Sequence, residues 1–229
     1  IVVDGPCVYN VVHDEIVSAS LPAVNSPNNE RNCKIISLIM VPNPCDDMSQ
    51  VVDLLHDFKG DTLSVDIPEG SYTISAVVLV NNFMRVIDGA PGADGPVVNH
   101  YDKNAVNRYL YRMSNTLKDY LDCDLSDYFR AMFMDSMELE GSNWSDDFAE
   151  EFESRRGYDV MPYLNFILWK TRGMGDPVSY KPLIATSDSL SEIVKRVRYD
   201  FELTKAELLR ENFTEPYAEW SPRFRRLRF

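Results

Sequence analysis

Two rhythms of apolar and polar positions divide the chain. From residue 1 to about 80, apolar residues come in short runs: Ile1 to Val3, Glu15 to Val24, Lys34 to Val41, Thr62 to Ile67 and Ser71 to Val80. Clusters rich in Pro, Asn and Asp, such as 25–29 and 42–44, separate them. That spacing predicts an antiparallel meander or sandwich. The stretch Asp66 to Tyr72 holds Pro68 and Gly70 and predicts a hairpin, since proline presets one turn dihedral and glycine supplies a positive φ. Ile74 to Val80 is apolar almost throughout. Burial on both faces is the usual cause, and it predicts a central parallel strand.

Beyond a glycine-rich loop at 88–95, the period lengthens. Val106, Tyr109, Leu110, Met113, Leu117 and Leu121 recur at steps of three and four, which predicts a helix over 104–121 capped near Asp102. The run from Tyr128 to Met134 predicts a buried strand, 128–134. Ser145, Asp146 and Asp147 mark the start of a helix over 146–156, and Gly157 is placed to end it. Leu190, Ile193, Val194, Val197, Phe201 and Leu208 predict a long helix over 188–213.

Buried strands alternating with helices are β-α units, whose natural home is a parallel sheet or barrel. The expected fold class is therefore α/β: a β-rich region over 1–97 leading into the first barrel strand, then part of a (β/α) TIM-like barrel over 98–229. A closed barrel needs about 250 residues, so only its first part is expected here.

Charge narrows the partners. Among 229 residues the formal net charge is −13. A nucleic-acid groove or an anionic membrane surface needs clustered cations to replace counterions, so a neutral, small polar ligand fits better. Many proteins, though, are acidic for solubility alone. Cys7, Cys33, Cys45 and Cys123 form no CxxC pair, and no histidine stands at zinc-finger spacing. Cys33 and Cys45 allow a bridge in an oxidising compartment or two free thiols. No apolar run approaches a membrane span, and the start at Ile1 without an initiator Met suggests a piece of a longer protein.

The chemistry concentrates where the apolar run 128–134 gives way to Asp135, Glu138, Glu140, Gly141 and Trp144. Loops at the C-terminal ends of barrel strands face the active site, which singles out Asp135 and Glu138. Glycoside hydrolysis needs two carboxyl groups, one to protonate the leaving oxygen and one to activate water or attack, and Glu138 suits either role. Trp144 could lay its ring against a sugar face, or equally serve as core beside a helix cap. Asn99 to Lys103 holds a second cluster at the equivalent position. There His100 could bind sugar hydroxyls, and Asp102 is a cap first and a ligand contact second. Asp122 to Asp127 starts like a calcium loop, but Phe133 stands where its bidentate Glu should be.

Asp135-Ser136-Met137-Glu138, Asn143-Trp144-Ser145, Phe148, Glu151-Phe152, Arg155-Arg156-Gly157-Tyr158-Asp159 and Pro162-Tyr163-Leu164 together resemble a stretch of family 106 α-L-rhamnosidases. Ile67 to Ile74, Asp102 to Val106 and Arg198-Tyr199-Asp200 are similar to further segments, so the resemblance covers roughly residues 62–220. It implies an inverting enzyme that cleaves terminal α-L-rhamnosides of plant glycans with two glutamates and a calcium ion. It also implies export by a bacterium to the periplasm, cell surface or medium. Glu138 matches the motif glutamate, Asp135 the neighbouring acid, and Asn143 joins Trp144, His100 and Asp102 as a sugar-binding candidate. Met137 replaces the usual tyrosine. Nothing here matches the second glutamate, so the isolated chain is expected to be inactive; a non-catalytic carbohydrate-binding or structural fragment is the alternative.

Overall fold

The computed structural model describes residues 1–20, 33–81, 86, 91–92, 95–123, 125–129, 131–134, 142–169 and 180–221. They form two compact units, each drawn from two stretches of chain: 1–83 with 149–201, and 84–148 with 202–229.

The first unit is built on one antiparallel sheet of four strands, β1 (Val2–Val12), β2 (Cys33–Pro42), β3 (Val52–Asp53) and β4 (Thr62–Val80), in the order β1-β4-β2-β3. The expected hairpin at 66–72 is absent. Instead β4 runs through, its first half paired with β1 (Val12 opposite Thr62, Val3 opposite Tyr72) and its second with β2 (Pro42 opposite Tyr72, Cys33 opposite Val80). Gly70 holds φ at 124°, which lets the strand bend where a side chain would resist, and the chain never reverses. Gly5 lies against the same bend: a Cβ there would sit 1.9 Å from the carbonyl oxygen of Pro68, so no larger residue fits.

Alternation sorts the strand residues between two faces. Leu38 and Met40 of β2 and Leu63, Val65, Ile67 and Ile74 of β4 enter one core with Val11, Ile35 and Leu54. The other face carries Ser37 and Ser75, and there the buried Asn165 accepts a hydrogen bond from Ser37 Oγ at 2.6 Å and donates to Ser75 Oγ at 3.0 Å. Coverage on both sides explains the run at 74–80, apolar apart from Ser75, but its pairing is antiparallel, not parallel. The start of the strand expected over 15–24 is instead part of helix α1 (His13–Ser20). Asp14 and Glu15 occupy its first turn, where the helix dipole favours acids, and the adjacent pair Ile16 and Val17 packs on the core without any two-residue alternation.

Helix α4 (Phe148–Arg156), all but its first residue in this unit, ends at Gly157 with φ 80°, and Gly157 N–H donates to Glu153 O at 2.8 Å. The short, buried α5 (Leu164–Ile167) leaves carbonyls that Arg198 of α6 (Asp188–Leu209) satisfies, at 3.0 Å to Phe166 O and 3.3 Å to Ile167 O. Along α6 the buried residues Leu190, Val194, Val197, Phe201, Thr204 and Leu208 repeat at three- and four-residue steps, one stripe of a helix. Its last turns, from Glu202, belong to the second unit.

The second unit is helical among the described residues. α2 (Lys103–Leu121) starts at Asp102, whose Oδ1 accepts from Asn104 N at 2.8 Å and Ala105 N at 3.2 Å. Its Val106 and Leu110 meet Leu125 and Trp220 in a buried core. The expected strand 128–134 does not form. Residues 125–128 are α3 (Leu125–Tyr128), Phe129 N–H donates back to Leu125 O, and residues 131–134 have no regular structure. Phe129 and Met132, three apart, are the pair that packs on this core, whereas Phe133 is 85% exposed, so the apolar run is not a buried ribbon. No parallel sheet, and hence no part of a (β/α) barrel, is seen among the described residues.

The helix expected to continue to Phe213 changes pitch instead. After α6 comes a wider π turn, Arg210–Thr214, and then α7 (Glu215–Trp220). Pro216 has no N–H to offer the carbonyl four residues back, and its ring would crowd that carbonyl in a regular α-helix; widening the turn accommodates both.

Candidate active site

Glu138 and Asp135, the foremost sequence candidates, lie outside the described residues. The remaining four, His100, Asp102, Asn143 and Trp144, all belong to the second unit, and the structure ties their two segments together.

Residues 99–102 form a tight turn: Asn99 Oδ1 accepts from Tyr101 N at 3.1 Å, and Asn99 O accepts from Asp102 N at 3.3 Å. The turn turns Tyr101 inward, leaving it 5% exposed. Its hydroxyl donates to the carbonyl oxygen of Ser142 at 3.1 Å, and its own carbonyl accepts from Asn212 Nδ2 of the π turn at 2.7 Å. Burial, with Glu202 adding a smaller electrostatic push, raises the phenol to about 12, so the hydroxyl keeps its proton and remains a donor at neutral pH. Sequence reasoning passed over Tyr101, Ser142 and Asn212. The signal available was a lone tyrosine between two singled-out residues.

His100 is buried, not exposed at a rim. Its ring lies 4.7 Å from that of Phe213, and its Nδ1 has no hydrogen-bond partner among the described residues. Desolvation pushes its pKa below the usual imidazole range, opposed by a backbone hydrogen bond at Val98, so neutral imidazole is the favoured form. Asp102 spends one carboxylate oxygen on the N-terminus of α2. Trp144 is half-buried and its ring packs 4.8 Å from that of Phe148, tilted by 34°. Next to it, the buried Ser145 donates to Asp147 Oδ1 at 2.8 Å, and its carbonyl accepts from Phe148 N at 3.1 Å, fixing the entrance to α4. The structure therefore brings the 99–102 turn and the 142–145 segment to one place, joined by the Tyr101 hydroxyl.

Among the described residues no group of three or more His, Cys, Asp or Glu side chains is gathered to hold an ion. Nor is any described helix long and apolar enough to cross a membrane.

A family model described as alpha-L-rhamnosidase, glycoside hydrolase family 106, matches residues 34–221, which includes both segments of this site. The chain belongs to that family. Among solved structures, it is similar to a rhamnosidase from Novosphingobium sp. PP1Y, with a TM-score of 0.52 and 26% identity over 76% of this chain. The match takes in 16% of that protein, so the chain spans a minor part of its length. No curated protein matches the chain.

Proposed function

We propose that this chain is part of an exported, inverting α-L-rhamnosidase acting on terminal rhamnosides of plant glycans, with Glu138 as one of its two catalytic carboxyl groups. The observation that supports it most is the family match across residues 34–221, which spans the acidic segment 135–141 together with both of its flanks. Inversion needs the partner carboxyl roughly 6.5–9.5 Å away, leaving room for a water on the opposite face of the sugar. That partner would come from another part of the whole protein.

In this reading Trp144 and Asn143 stand closest to the sugar, because they follow the acidic segment directly. Asp102 and His100 act mainly from behind: one secures α2, and the other, neutral and buried, fills the floor under the turn. The calcium ion that the resemblance implies belongs, in this proposal, to the whole protein.

The test uses the whole protein and an aryl α-L-rhamnoside. Glu138→Gln should abolish most turnover while leaving the circular dichroism spectrum unchanged. NMR of the first-formed sugar should show the β-anomer. Unaltered turnover in the variant rules out the role of Glu138, and an initial α-anomer rules out inversion. A non-catalytic carbohydrate-binding fragment would show rhamnose binding with no hydrolysis by the whole protein.

A further inference from the structure

We infer that Tyr101 is a positioning residue for the hydrolytic reaction, acting as the middle of a relay that runs from the π turn to Ser142, four residues beyond the proposed catalytic acid in sequence. This rests on the Glu138 reading for its effect on turnover, although the relay itself is made wholly of described residues.

Asn212 sits in the π turn Arg210–Thr214 and donates to Tyr101 O at 2.7 Å. Tyr101 in turn donates from its hydroxyl to Ser142 O at 3.1 Å, four residues beyond Glu138 in sequence. Neither bond is a routine part of a helix or strand. The π geometry is what gives the first: a helix that widens at 210–214 carries Asn212 and Phe213 onto the 99–102 turn, and Phe213 meets the His100 ring there. Pi turns inside helices recur at functional sites. The second bond is buried at its donor, and the phenol, raised to about 12, does not ionise in any ordinary assay. Ser142 O is a main-chain acceptor, so what Tyr101 holds is the backbone path of the chain as it leaves residues 135–141. A fixed backbone at Ser142 serves catalysis in the Glu138 reading, because reacting groups displaced by about 1 Å lose roughly a hundredfold in rate.

The structural alternative makes a different prediction. If Tyr101 only contributes to the core, its phenylalanine variant loses stability without a selective effect on the chemical step. The experiment compares Tyr101→Phe, Asn212→Ala and Glu138→Gln in the whole protein on an aryl α-L-rhamnoside, with kcat and KM measured separately. Hydrogen exchange over peptides spanning 142–148 is followed in parallel. The expected result for Tyr101→Phe is a fall in kcat of roughly ten- to a hundredfold with KM within about twofold, and faster exchange at 142–148. Asn212→Ala, which leaves the phenol in place and so guards against a folding defect at Tyr101, should show the same pattern more weakly. If Glu138→Gln is inactive while Tyr101→Phe keeps its kcat, the relay is overturned and the acid stands. If Glu138→Gln keeps turnover while Tyr101→Phe loses kcat, the acid is misassigned and the relay stands. Unchanged exchange at 142–148 in both relay variants also overturns it.

Discussion

The hydroxyl of Tyr158 donates to Asp200 Oδ2 at 2.8 Å, joining the residue just past the end of α4 to the middle of α6 across 42 positions of sequence. Phe152 and Tyr163 meet the same ring edge-on, at 5.1 and 6.2 Å between centroids. Tyr158→Phe should keep this packing and lose the bond, lowering stability by about 1–2 kcal/mol in urea unfolding. Burial, then the hydrogen bond and charge of Asp200, raise the phenol far above its usual value. The folded state therefore holds a proton that the unfolded chain gives up near pH 10, so stability should fall as pH rises above about 10. In Tyr158→Phe that alkaline decline should shrink; an identical decline in both proteins would place its origin elsewhere.

Asn165 is 4% exposed and bonded on both sides to serines of the sheet. Asn165→Ala should cost about 2–4 kcal/mol, since it opens space and strands two hydroxyls. The triple variant Ser37→Ala, Asn165→Leu, Ser75→Ala removes all the polar groups together and should recover most of that loss. Denaturant midpoints of the two variants decide the matter: equal destabilisation would mean that polar satisfaction is not what Asn165 provides.

Neutral His100 predicts a dependence in the opposite pH direction. Its folded pKa lies below the unfolded value, so the unfolded chain takes up a proton first, near pH 6.5, and stability should decline as pH falls from there. His100→Phe should flatten the stability profile between pH 7 and 5. A profile as steep as that of the parent would assign the acid sensitivity to carboxylates.

Asp102 can be tested for its two roles separately. Asn is as good an N-cap as Asp, so Asp102→Asn should leave stability within about 0.5 kcal/mol, whereas Asp102→Ala should cost about 1 kcal/mol in thermal or urea unfolding. If the charge also contacts the sugar, Asp102→Asn in the whole protein should raise KM at unchanged stability. Equal KM values leave the residue as a cap alone.

How much of this was legible in the sequence depends on whether the relevant signal was local. The helices at 103–121 and 148–156 declare themselves through a capping aspartate, a three-four spacing and a terminating glycine, all of which act within a few residues. Strand β2 likewise follows from its own composition. Pairing direction is not local: the run 74–80 is apolar because α5 covers one of its faces, and nothing within those residues says whether their neighbours run parallel or antiparallel. Pro68 and Gly70 signalled a departure from regular strand, but a bend and a reversal use the same residues, and the choice falls to β1 and β2. The run 128–134 misled because aromatic and methionine residues serve an irregular segment as readily as a strand. At the candidate site, Asp102 was readable as a cap, whereas the equivalence drawn between the 99–103 and 135–145 clusters rested on a strand over 128–134 that does not form. The bond between Tyr101 and Ser142 was not readable, because it depends on Tyr101 being turned inward by the Asn99 turn and on a π turn more than a hundred residues away.

Each compact unit takes its residues from two separated stretches, with the second stretch of one interrupting the other. During synthesis, then, the sheet of the first unit leaves the ribosome long before Asn165 and Arg198, and it must wait with Ser37 and Ser75 uncovered while 84–148 is made. The helical unit is completed later still, when Phe213 and Trp220 emerge. Such an order favours late, concerted closure over stepwise growth from the N-terminus, and the interleaving means that no cut at a single position in the chain separates one unit from the other.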